Sequence, residues 1–100
     1  MEDGIQTDSL TPGTLLEVAT RSRSYRVEIL PGGEALISGH PKYCPEPTCV
    51  RLHGSTWGHS LLRLHYIGKG MNLEFGHPQF GIVHTSPVLD VREVAPNLAA

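Results

Sequence analysis

Ser24-Tyr25-Arg26-Val27-Glu28-Ile29-Leu30-Pro31-Gly32-Gly33-Glu34-Ala35-Leu36-Ile37-Ser38-Gly39-His40-Pro41-Lys42-Tyr43 carries the strongest structural signal in the chain. Tyr25, Val27 and Ile29 alternate with Arg26 and Glu28, the period of two expected of a strand with one buried face. Pro31-Gly32-Gly33 marks a turn, and Glu34 to Ser38 reads as the return strand. Gly39-His40-Pro41 closes the unit, followed by an aromatic at Tyr43. The closing run returns 37 residues later as Leu73-Glu74-Phe75-Gly76-His77-Pro78-Gln79-Phe80. At that offset 7 of the 25 positions in residues 25–49 and 62–86 are identical, Arg26/Arg63, Gly33/Gly70 and Thr48/Thr85 among them. Internal repeats set architecture, so the chain reads as two similar hairpin units. In the second unit Leu62, Leu64 and Tyr66 share one face, Gly68-Lys69-Gly70 is the turn, and Met71, Leu73 and Phe75 line the return strand.

Outward from these units, residues 14–20, 49–53, 80–85 and 88–94 read as further strands. Ser86-Pro87 could open a helix, but the valines at 88, 91 and 94 favour a strand. About eight short strands result, spaced as in a small barrel or sandwich, so the expected class is all-β. With 100 residues the chain is one domain. Residues 1–12 are polar and aperiodic and are expected as a flexible tail; residues 13–95 form the domain and 96–100 a second tail.

Net charge is −2, and without Glu2, Asp3 and Asp8 the chain is about neutral, with 7 acidic against 8 basic residues. No global basic field is present to hold nucleic acid, and no run approaches the ~20 apolar residues of a membrane span. A membrane partner is not expected. The N-terminus lacks the apolar core of a secretory signal, so the expected location is cytoplasmic and the two cysteines are expected to be reduced.

His40-x3-Cys44-x4-Cys49-x3-His53 is the sharpest chemical constellation, since two thiolates and two imidazoles suit tetrahedral zinc. The repeat argues against it. His77 is the counterpart of His40, yet Gly81 and Ser86 stand where the first unit has Cys44 and Cys49. A Gly-His-Pro loop therefore occurs once without thiols. The simpler expectation has Gly39 and Gly76 in special backbone angles, His40 and His77 hydrogen-bonding within their own loops, and Pro41 and Pro78 fixing the exits. No cofactor is expected; zinc is the one alternative the sequence offers.

No Gly-x-Ser-x-Gly elbow, Walker loop or suggestive acid pair is present, so catalysis and a small-molecule substrate are not expected. Arg21, Arg23, Arg26 and Arg63 could hold single-stranded nucleic acid, although Tyr25 among them falls on the apolar face. Trp57, in a loop expected over Gly54-Ser55-Thr56-Trp57-Gly58, could be presented to a protein partner or fold back over an open end of the sheet.

Gly39-His40-Pro41-x-Tyr43-Cys44-Pro45, Gly54-Ser55-Thr56-Trp57-Gly58, Ile67-Gly68-Lys69-Gly70-Met71 and Thr85-Ser86-Pro87-Val88 together resemble short bacterial β-proteins over about residues 14–94. The resemblance implies a small single-domain all-β protein and brings no activity or site residue with it. The leading functional expectation is a non-catalytic interaction or regulatory module, binding a protein partner or itself through Trp57, His40 and His77. A structural zinc domain and a weak single-strand binder follow in that order.

Overall fold

Alternation in the sequence becomes alternation in burial. In the computed structural model, which describes residues 3–58 and 60–94, Leu16 and Val18 of one strand and Tyr25, Val27 and Ile29 of the next face inward while their neighbours face out. Among the described residues the strands are β1 (Gly4–Gln6), β2 (Leu15–Thr20), β3 (Ser24–Ile29), β4 (Glu34–Ser38), β5 (Thr48–Trp57), β6 (Leu61–Leu64), β7 (Tyr66–Gly68), β8 (Asn72–His77) and β9 (Gly81–Val94). The fold is all-β, as the period-two pattern requires. The tail expected at 96–100 lies outside the described residues.

The main sheet runs β4-β3-β2-β9-β8-β5-β6, antiparallel throughout. β4 also pairs with β5, from Glu34↔Arg51 to Ile37↔Thr48. The pairings of β2, β3, β4, β5, β8 and β9 therefore form a circuit, with the core inside it around Leu16, Val27, Ile37, Leu73 and Phe75. Burying a side chain such as Phe75 contributes about 1.5–3 kcal/mol.

β5 is where the sheet forks. One side of it pairs with β8. The other is shared: β4 takes Thr48 to Arg51, and β6 takes Gly54 to Trp57. Leu52 and His53 lie at the branch, where the ladder to β8 also shifts register. The His65 N–H donates to the His53 carbonyl across 2.9 Å and holds the two arms together. Gly54 sits at φ 144, and any Cβ there would strike the Arg63 carbonyl.

The first unit forms as expected: β3 and β4 are a hairpin around Pro31–Gly33. The second departs from its plan. β8 pairs with β5 and β9, β6 pairs with β5, and β7 pairs with β1. His65, at φ 57, splits the expected strand into β6 and β7. Leu62 and Leu64 are exposed while Tyr66 is buried, so the three do not share a buried face. Alternation marks a strand but carries no information on its partner.

Two other segments differ from expectation. Gly4–Gln6, placed in the tail on polarity alone, forms β1 against Tyr66–Gly68. Gly4 permits this, because a Cβ there would collide with the Ile67 carbonyl and the Tyr66 ring. Residues 80–85 and 88–94 join into the single strand β9. It pairs with β8 as far as Pro87 and with β2 from Val88 onward. Pro87 falls at this change of partner, where its missing N–H breaks no regular ladder.

Candidate functional site

The apolar groups that the fold leaves uncovered gather on β6. Trp57, at the end of β5, is register partner to Leu61. It is 53% exposed, with Leu61 at 69%, Leu62 at 42% and Leu64 at 59%. β6 pairs only with β5 among the described residues, so it is open along one edge as well as on both faces. Arg63, its one charge, lies over the Tyr66 ring, with Cζ 4.0 Å from the centroid. Trp57 is on a strand, where a loop was expected, and its ring passes beside Gly70.

The two Gly-His-Pro segments build the same turn twice. His40 Nδ1 accepts the backbone N–H of Lys42 (3.1 Å) and Tyr43 (3.3 Å). His77 Nδ1 accepts those of Gln79 (2.9 Å) and Phe80 (3.2 Å). Each ring caps the N–H groups two and three residues on, as Asx turns do with a carboxylate or amide. The turns also touch: Tyr43 and Phe80 meet edge to face at 5.2 Å, and Lys42 Nζ lies over both rings. Gly39 adopts φ 124, with the Ser24 carbonyl where a Cβ would be. Gly76 does not share this conformation. It is a residue of β8 whose missing Cβ makes room for the His53 ring.

Glu74 is the buried charge that sequence analysis did not single out. It is 7% exposed and lies between two histidines from neighbouring strands. His53 Nδ1 is 2.6 Å from Oε2 and His84 Nε2 is 2.8 Å from Oε1. Burial pushes the carboxyl up, but the hydrogen bonds from His84 and His53 and their charges outweigh it, so the group stays below its usual range. A buried carboxylate with both oxygens occupied is a clamp joining β5, β8 and β9.

His53 also lines a cleft of about 250 Å³ at the fork, with Gly32, Gly33, Arg51, Leu64 and His65. A second hollow of about 220 Å³ continues from Gly32, Gly33, Leu52 and His65 toward Asp8, Pro12 and Glu34. Its walls mix acids, a histidine and apolar groups without a matched set of donors.

The four residues of the zinc reading do not assemble into a ligand set. Among the described residues no three His, Cys, Asp or Glu side chains are arranged to hold a metal ion. His40 is committed through Nδ1 to its turn and His53 through Nδ1 to Glu74. Cys44 is buried and Cys49 exposed on β5. Burial raises the Cys44 thiol, more than the His40 backbone hydrogen bond and Arg23 lower it, which disfavours the thiolate that zinc requires. The sequence placed these groups close along the chain, but Cys44 is buried while Cys49 is exposed, and the two histidines are drawn to different partners, His40 to its own turn and His53 to Glu74.

Of the four arginines, Arg21 and Arg23 are in the β2–β3 turn and Arg26 faces out of β3. Arg63 is on β6, which is not adjacent to β3 in the sheet. Trp57, His40 and His77 also fall in two places, Trp57 beside β6 and the histidines inside their turns. The signal for β6 was in the sequence. Leu61-Leu62 is a doublet that period-two alternation cannot bury on one face. No protein-family model matches the chain, and no curated protein or solved structure matches it.

Proposed function

We propose that this chain is a non-catalytic interaction module that docks through β6, and that its partner is a second copy of itself. The observation carrying this reading is a strand exposed on both faces and along one edge, with three leucines and Trp57 beside it. The unpaired N–H and C=O groups of such an edge are a template for another strand. Edges are ordinarily guarded by charge, proline or a bulge. Here the single charge, Arg63, is turned onto Tyr66. Antiparallel pairing about a two-fold axis between Leu62 and Arg63 sets each Arg63 opposite a leucine, so the two guanidiniums avoid direct pairing. A net charge of −2 puts little repulsion between copies. A cytoplasmic setting belongs to this reading, since Cys44 and Cys49 are both free thiols and persist as such where thiols are kept reduced.

Sedimentation velocity over a concentration series tests the reading. The expected result is a dimer that becomes a monomer in the Leu62→Glu, Leu64→Glu double variant, with the strand signal in circular dichroism retained. A wild-type monomer at every concentration, or a dimer that survives both substitutions, refutes it.

A further inference from the structure

At the opposite end of β3 from the fork, a hollow of about 130 Å³ opens between the β2–β3 turn, the His40 turn and β9. It is far smaller than the ~300–1,000 Å³ of a drug-sized ligand site, which makes it a place for one small group. Arg23, Tyr25, His40, His84, Ser22 and Ser86 contribute to its walls, and no carboxylate does. Glu74, the nearest acid to His84, is spent on its two histidines.

The walls are rich in hydrogen-bond donors. Arg23 is half-buried and has no ion pair or side-chain hydrogen bond among the described residues. Arg92 and Lys69, by contrast, are matched to Glu17 and Asp90. His40 receives two backbone N–H groups at Nδ1, so its ring hydrogen is on Nε2 and that nitrogen donates. Ser86 Oγ accepts the Ser22 N–H at 3.1 Å, which leaves its own hydrogen to give. Burial and the neighbouring Cys44 raise the Tyr25 phenol, against Arg23, and keep its O–H as a donor. Arg23 and Lys42 both act, after burial, to lower His40, as expected where the local field is positive.

We infer that this hollow is a binding site for a phosphoryl group, with Arg23 as its anchor and His40, Tyr25 and Ser86 as donors around it. A guanidinium fork matches phosphate oxygens in pairs, and donors on three walls suit a tetrahedral ion better than a planar carboxylate. The site is independent of how β6 is used.

Titration of inorganic phosphate into the full chain, followed by two-dimensional amide NMR, tests this. The expected result is saturable shifts confined to Arg23, Ser86 and the His40 turn, with sulfate competing and acetate much weaker. Arg23→Gln weakens binding about tenfold or more, the loss of a hydrogen bond to a charged group, and leaves the phosphate-free melting temperature close to wild type. Should that variant fail to fold, Ser86→Ala is titrated in its place and is expected to weaken phosphate binding. Shifts that never saturate, shifts spread over the surface, equal affinity in the variant, or a preference for acetate would each overturn the assignment.

Discussion

His77 Nε2 donates to the carbonyl of Tyr43 across 2.8 Å, so the histidine of the second turn is bound to the backbone of the first. The direction of the bond follows from the other ring nitrogen, which already receives the N–H groups of Gln79 and Phe80. Two segments 37 residues apart in sequence thus fold alike and then lock together, closing the end of the sheet where β4 turns into β5 and β8 into β9.

Replacing His77 by Ala removes three hydrogen bonds at a buried position. The expected cost is about 2–3 kcal/mol, measured as a lowered urea midpoint. His40→Ala, at a less buried ring with no link to the other turn, is expected to cost less. Equal or reversed effects would show that the cross-turn bond to Tyr43 contributes nothing.

Glu74 ties stability to pH. Its carboxyl is below the unfolded value of 4.5, so the unfolded chain binds the proton more readily. The contribution is complete above 4.5 and is lost as pH falls through the folded value. Urea midpoints measured down through the acid range should fall steeply in wild type and more gently in Glu74→Gln. That variant should also be destabilised by about 1–3 kcal/mol at neutral pH. Parallel acid profiles for the two proteins would remove Glu74 as the cause.

Thr56 Oγ1 is buried and has no hydrogen-bond partner among the described residues. An orphaned hydroxyl costs free energy that an isosteric methyl does not. Thr56→Val keeps the β-branched shape on β5 and is expected to raise stability by about 1 kcal/mol, or about 4–8 °C in melting temperature. A fall in melting temperature would mean that the hydroxyl is satisfied in solution.

The two thiols should differ in reactivity. Cys49 is exposed, and Cys44 is buried with its thiol raised. Alkylation of the native protein, read by mass spectrometry, should add one label rapidly and a second only in denaturant. Two rapid labels in the native state would contradict the burial of Cys44.

Much of the fold was legible in the sequence because the signals for it are local. Alternation at Tyr25, Val27 and Ile29 and the Pro31-Gly32-Gly33 turn specify a hairpin whose partner strand is the next in the chain. The histidine turns were legible for the same reason, since each imidazole bonds to N–H groups two and three residues away. The second hairpin was not legible. Leu73 and Phe75 alternate as a strand should, yet nothing along the chain states that β8 will lie between β5 and β9 instead of against the segment before it. Leu61-Leu62 signalled apolar exposure, although whether a neighbouring element would cover it depended on where β6 ended up.

By itself, then, the sequence determined the class, the first hairpin and the chemistry of both Gly-His-Pro turns. These rest on side-chain period, turn propensity and short-range hydrogen bonds, all decided within a few residues. Only the tertiary structure decided the fork at Leu52 and His53, the exposure of β6, the clamp of His53 and His84 on Glu74, and the gathering of Arg23, His40 and Ser86 around one hollow. Each of these joins residues from strands far apart in the chain. Which strands become neighbours is settled by closing a whole circuit of pairings around one core, a condition that no single segment contains.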